Sequence, residues 1–203
     1  IREVGQAAYG LLPVDSGEVS LPTHNVSIGN PYQALQNRVA YVPKDRDGEA
    51  LMMGASIQNN FCLPSVETLK GRFGFLSPKK LYQASSKARE QFSVKSTGGD
   101  QLMRALSGGN KQKVNLGRWL IKDLDVLIVD CPTRGVDIGV KAYIYQCLRE
   151  AKEKGMAILL ITDELSEVLG MADTIAVMKD GEICKLLPRS AELSEETIIE
   201  VMT

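Results

Sequence analysis

Leu106–Leu120 reads LSGGNKQKVNLGRWL, and ten residues beyond its end Asp130–Gly139 reads DCPTRGVDIG. The first stretch sets a serine and two glycines at a helix start. From about Asn110 to Lys122, Val114, Gly117, Leu120 and Ile121 recur with the spacing of one helical face. The second stretch opens on Asp130, which closes DVLIVD (125–130). That short run is apolar on both faces, as a central parallel strand must be. Unpaired backbone N–H groups at a helix start, with no Cβ in the way, form an anion site. The hydroxyl of Ser107 adds a hydrogen bond that a phosphate oxygen can accept. An aspartate at the carboxyl end of a buried strand is where α/β nucleotide enzymes hold Mg2+, commonly through water. The plain alternatives are a turn at Ser107–Gly109 and a solvated carboxylate at Asp130.

Working outward, RVAYVP (38–43) is a β-branched apolar run stopped by Pro43 and predicts a buried strand. From Lys44 to about Ala105 charges, glycines and amphipathic pieces such as PKKLYQASSKAREQF replace strand signals, which predicts a helical insertion. Residues 93–101 lead out of it. A helix is expected from about Ile138 to Lys154, ended by Gly155. AILLIT (157–162) reads as another buried strand and ELSEVLGMA as a short helix. TIAVMK and EICKLL read as a hairpin closed at Asp180–Gly181. Ser194 starts a last helix, with Glu195 and Glu196 at its positive end. Residues 1–10 look like the tail of a helix ended by Gly10 and Pro13, and a short strand follows the turn at Asp15–Gly17. The alternation of strand and helix makes an α/β domain.

The 203 residues are 44% hydrophobic and carry a formal net charge of −1. That is enough for one domain with a real core, and it leaves no electrostatic footprint for nucleic acid. No apolar run reaches the roughly 18 residues of a membrane span. The N-terminus shows no signal peptide and starts inside an element, so a longer polypeptide is expected. Cys62, Cys131, Cys147 and Cys184 show no metal-type spacing and read as reduced, mostly buried thiols of a cytosolic protein. His24, the single histidine, sits in a polar turn-like segment and is expected at the surface.

LSGGNKQKV resembles the signature motif of ATP-binding cassette (ABC) ATPases, VLIVD their Walker B strand, and TRGVD the loop after it, with Asp137 at its aspartate. GEVSL, YVPKDRDG, GRWL and EVLGMADTIAVMKDGEI extend the resemblance over almost the whole chain. SGGN with TRGVDIG is similar to the energy-coupling subunits of bacterial ribose, galactose and xylose importers, which carry two cassettes in one polypeptide; this chain resembles the second. The resemblance implies a P-loop NTPase-like α/β core with a parallel sheet, antiparallel β elements and a helical signature subdomain inserted at about 44–122, the whole of 1–203 being a partial cassette. It implies ATP and Mg2+. It implies a partner cassette, a membrane permease and, indirectly, a periplasmic or lipoprotein sugar-binding protein, with no nucleic acid. The expected location is cytoplasmic, on the inner face of the membrane.

Departures from that family are as informative. The glutamate that usually follows the Walker B aspartate and polarises the attacking water is Cys131. The switch histidine position falls on Asp163. The position after VP that lies near the phosphates is Lys44, whose ammonium suits either a phosphate or a surface facing the permease. The Walker A loop, G-x-x-x-x-G-K-[ST], is absent, and alignment of the first helix puts Ile1, Arg2 and Glu3 where its lysine and hydroxyl are expected. Without the strand that precedes that loop, the apolar strands here would expose an unpaired edge.

In the family two cassettes meet head to tail. Each ATP lies between the Walker motifs of one and the signature of the other. The resemblance therefore assigns Ser107, Gly108, Gly109 and Asn110 to one site, and Lys44, Asp130, Cys131 and Asp163 to the other. An asymmetric ATPase is expected, in which this cassette is a weak hydrolyst and lends its signature. A slow but ordinary ATPase, a regulatory nucleotide-holding module and a non-transport ABC protein are the competing readings. Met52, Met53, Ile57, Phe61 and Leu63 form an apolar set that suits either permease docking or the insertion's own core.

Overall fold

Val39–Val42, Val126–Asp130 and Ala157–Ile161 line up as three parallel strands, in that spatial order. The computed structural model describes residues 1–21, 24–191 and 193–202. In chain order the elements are α1 (Arg2–Ala8), β1 (Ser20–Leu21), β2 (Val26–Ser27), α2 (Pro31–Gln36), β3 (Val39–Val42), α3 (Ile57–Cys62), α4 (Val66–Leu69), α5 (Pro78–Gln91), α6 (Gly108–Leu120), β4 (Val126–Asp130), α7 (Ile138–Glu153), β5 (Ala157–Ile161), α8 (Leu165–Met171), β6 (Thr174–Lys179), β7 (Glu182–Pro188) and α9 (Glu195–Met202). β1 and β2 pair as a small antiparallel ribbon.

The sheet is covered on both faces, which is why its strands read as continuous apolar runs. Ala40, Val42, Leu127 and Val129 face a core with Val114 and Leu116 of α6 and Ile144 and Leu148 of α7. Val39, Tyr41, Ile128 and Ile161 face the opposite side, beneath α1 and α2. Gly5 lets α1 lie on the sheet: a Cβ there would stand 2.6 Å from Ile161 Cδ1. In-register pairing of Val42 with Val129 and of Asp130 with Ile161 brings the carboxyl ends of all three strands to one rim. Ligands of open parallel sheets bind outside that rim.

β5 departs from its expected full burial. Ala157 is exposed and Leu159 is 39% exposed, while Ile161 is buried. Among the described residues β5 pairs only with β4, which leaves the unpaired edge expected where the strand that precedes the Walker A loop is missing.

Between β3 and β4 the chain forms the helical insertion. Ile57 and Phe61 of α3 are buried against Phe92, with the Phe61 and Phe92 rings 6.3 Å apart. Asn60 is fully buried and fully used: its side chain accepts from Met52 N and donates to Met52 O and Ser56 O. Gly117 brings α6 against this cluster, since a Cβ would lie 2.6 Å from the Phe92 ring. The apolar set Met52, Met53, Ile57, Phe61 and Leu63 thus divides. Ile57 and Phe61 are insertion core, Met53 packs against it, and Met52 and Leu63 remain exposed.

β6 and β7 form the hairpin, with positive φ at both Asp180 (52°) and Gly181 (88°), as a tight two-residue turn requires. Ile198 of α9 packs on Ile175, Val177 and Leu187. His24 is a correction: it is half-buried, with Nε2 2.7 Å from Asp125 Oδ2 at the start of β4. That is the end of the strand opposite Asp130, and Pro22 and Thr23 before it lie outside the described residues.

Candidate functional site

Ser107 caps α6. Its backbone is extended (φ −63°, ψ 156°) and its Oγ accepts from the Asn110 N–H. The Asn110 side chain holds that hydroxyl in place, donating from Nδ2 to Ser107 Oγ at 2.9 Å. Its Oδ1 accepts from Lys95 N at 2.9 Å, tying the helix start to the loop that leaves α5. Gly109 is needed because a Cβ would meet Val140 Cγ2 at 2.7 Å, so α6 and α7 start against one another. Asp137 caps α7, its Oδ1 accepting from Val140 N. A Cβ on Gly108 would lie 3.1 Å from Arg46 Nη2. Arg46 therefore sets a guanidinium beside the amides of α6, and Lys111 pairs with Asp47 at 2.9 Å in the same turn. Amides at a positive helix end with a cation alongside make an anion-binding surface.

Arg46 is the residue that sequence reading misses. It sits in a single wide turn, Arg46–Ala50, capped by Asp45, and no spacing rule places that turn beside residue 108.

The rim of the sheet holds the second group. Asp130 is 2% exposed and its Oδ2 lies 3.3 Å from the Tyr41 hydroxyl. Burial and the Asp130 charge push Tyr41 up to about 12, so it keeps its proton and donates it to the carboxylate. The positive charge of Arg2 opposes that shift, and Arg2 is itself paired with Glu49. Cys131 adopts a left-handed backbone (φ 47°), rare for a residue with a side chain. Its N–H donates to Ile161 O at 2.8 Å, and its Sγ lies 4.0 Å from Asp163 Oδ1. Burial pushes the thiol up, helped by the Asp130 charge and opposed by Lys44. The Cys131 thiol therefore holds its proton more tightly than a free cysteine does. Lys44 Nζ lies 3.6 Å from Asp163 Oδ2.

The expected residues fall into two sets. Lys44, Asp130, Cys131 and Asp163 gather at the rim. Ser107, Gly108, Gly109 and Asn110 gather at the start of α6, with Asp137 beside them. Among the described residues no hydrogen bond or ion pair joins the sets directly. Gln112, buried on α6, links them instead: Nε2 donates to Pro132 O at 2.6 Å, two residues past Asp130. Thr133 Oγ1 donates to the buried Glu167 on α8, fixing the same loop from the other side.

Mg2+ keeps several waters and binds through one or two carboxylates plus substrate phosphates. Asp130 supplies one such oxygen at the rim, and among the described residues no three His, Cys, Asp or Glu are grouped to hold a metal ion. A lone carboxylate of this kind would suit a Mg2+ arriving with a nucleotide.

A parallel sheet, a rim aspartate and a serine-capped, glycine-led helix start are features shared with nucleotide-binding cassettes. Residues 5–134 match the family model described as ABC transporter, and the chain belongs to that family. It is 35% identical over 201 residues to a ribose import ATP-binding protein RbsA of Bacillus cereus and 37% identical to that of Lactococcus lactis subsp. lactis, covering 99% of this chain and 40% of each relative. A putative ribose/galactose/methyl galactoside import ATP-binding protein of Agrobacterium fabrum is 38% identical over 203 residues, again at 99% and 40%. The chain thus spans about two fifths of these relatives' length. A nucleotide-free ATP-binding cassette from an ABC transporter superposes with a TM-score of 0.78 at 22% identity, over 98% of this chain and 81% of that one. A dimeric bacterial ABC transporter cassette gives 0.78 at 18% identity, over 93% and 80%. These likenesses carry the fold.

Proposed function

We infer that the chain is an ATP-binding, energy-coupling unit of a sugar importer, and that it contributes the start of α6 to an ATP site completed by a partner cassette. The names of its relatives support the sugar-import reading, and which sugar is carried belongs to the permease and the external binding protein. The partner cassette supplies the phosphate-binding lysine. Ser107 Oγ, the amides of Gly108 and Gly109, and the Arg46 guanidinium meet the far side of the triphosphate. Asn110 holds Ser107 in register. Mg2+ supplies charge neutralisation when it comes with the nucleotide. The helical stretch at about 44–122 is the part that faces the permease, at the cytoplasmic side of the membrane, with Met52 and Leu63 left exposed for contact.

The rim is the impaired half. The observation that carries this is Cys131: a buried, protonated thiol stands where water would need a carboxylate acceptor. Loss of a general base lowers rates by about 10²–10⁴, roughly 3–5 kcal/mol of barrier. Lys44 and Asp163 neutralise one another where the family has a switch histidine. The nucleotide-holding regulatory reading draws on the same pair, since Lys44 and Asp163 offset one another's charge at the rim. The deciding experiment is a structure of the assembled cassettes trapped with a non-hydrolysable ATP analogue. The account expects the Ser107–Gly109 amides on the phosphates of a nucleotide held by the other cassette. Amides facing bulk solvent would overturn it.

A further inference from the structure

The insertion ends in a tip that the nucleotide chemistry does not use. Lys70 and Leu76 form an isolated antiparallel bridge, closed by Gly71 N–H donating to Phe75 O at 2.8 Å and Gly74 N–H to Gly71 O at 3.1 Å. Phe73 sits at the turn with φ 65° and ψ 18°, a left-handed conformation held by a bulky residue. Such outliers persist where the surroundings, or a use, require them. The tight loop sends its rings outward: Phe73 is 83% and Phe75 76% exposed. The chain has four phenylalanines, and the other two, Phe61 and Phe92, are buried. Near the start of α5, Tyr82 is also exposed, at 62%.

The charge around these rings is one-sided. Residues 63–87 contain five basic residues and one acidic residue, a net charge of +4, in a chain whose total is −1. The acid, Glu67, is already paired with Lys70. Arg72 lies 5.2 Å from the Phe73 ring centroid, and Lys79 and Lys80 stand exposed in the first turn of α5. The cavity lined by Phe61, Cys62, Thr68 and Ala88 does not include Phe73, Phe75 or Tyr82.

We propose that this tip, Lys70–Tyr82, docks on an anionic bilayer surface. Protruding aromatic rings enter the headgroup region, and flanking lysines and arginines meet anionic lipid. A protein partner would need acidic groups to match the cations and a concave surface to take the rings. A lipid surface supplies the negative charge without a groove. The contact is independent of the nucleotide reading, and it would hold the insertion against the membrane whatever ATP does.

The test is vesicle flotation with the full chain, comparing phosphatidylcholine vesicles with mixed phosphatidylglycerol–phosphatidylcholine vesicles. The wild type is expected to float with the anionic vesicles, less so at raised salt, and not with the neutral ones. F73S/F75S, which alters only exposed rings, is expected to lower the bound fraction about tenfold with an unchanged melting transition. Absence of binding to the anionic vesicles, or binding that F73S/F75S leaves intact, overturns the proposal. Loss of permease association in F73S/F75S with vesicle binding unaltered would give the tip to a protein and equally overturn it.

Discussion

Lys44 Nζ stands 3.6 Å from Asp163 Oδ2, joining the ends of β3 and β5 across the end of β4. The pair brings together two positions that the sequence resemblance marks as departures from the family pattern. It is not strong: the Asp163 side chain is 72% exposed, and exposed pairs contribute about 0–1 kcal/mol. K44Q and D163N should each shift urea unfolding by less than about 1 kcal/mol, and the double variant should be no worse than either alone. A larger, non-additive loss would show that the pair holds the rim together.

The same pair gives a prediction for metal binding. With Lys44 in place, the chain without nucleotide should show no tight Mn2+ site by electron paramagnetic resonance. K44E would place a new carboxylate beside Asp163 and Asp130 and should create one, which D130N should then abolish. Tight Mn2+ binding by the wild type would contradict the outer, water-mediated role given to Asp130.

Thiol reactivity follows from burial. Cys62, Cys131 and Cys147 are buried and each thiol is pushed up by burial, whereas Cys184 is exposed. A raised pKa leaves less thiolate at a given pH, and the thiolate is the nucleophile. Iodoacetamide near neutral pH should label Cys184 first. The other three should gain label only as the pH rises well past the ordinary thiol range or as the chain unfolds. Mass spectrometry of tryptic peptides reads the order, and early labelling of Cys131 would remove the case for an inert thiol.

The two classes of phenylalanine predict opposite costs. Phe61 is 1% exposed in the insertion core, so F61A should destabilise by about 3–5 kcal/mol. Phe73 is 83% exposed, so F73A should stay within about 0.5 kcal/mol. Chemical denaturation of the two variants checks both figures.

Much of the fold is legible before any coordinates. DVLIVD is apolar on both faces because both faces of β4 are covered. Ser107, Asp137 and Gly155 mark helix ends by local chemistry alone, and Asp180–Gly181 announces its turn by the backbone it must adopt. The start of α2 carries an equally local signal, since Asn30 caps it and Pro31 opens it, yet the reading of the sequence passes over it. β5 is legible as an apolar strand, and its unpaired side is the one expected to meet the strand that precedes the Walker A loop. The candidate site is legible as two motifs but not as contacts. Arg46 beside Gly108, Gln112 on Pro132 and Lys44 against Asp163 are long-range pairings, and nothing in their own neighbourhoods encodes them.

Steady-state ATP turnover by the proposed two-cassette assembly tests the proposed division of labour most directly. On the proposed reading S107R should abolish turnover, because it would block the amides proposed to meet a nucleotide held by a partner cassette, and C131A should leave it nearly unchanged, with thermal melts confirming that both variants fold. If C131A proves the more damaging of the two, the rim of this chain is a working site and the account fails.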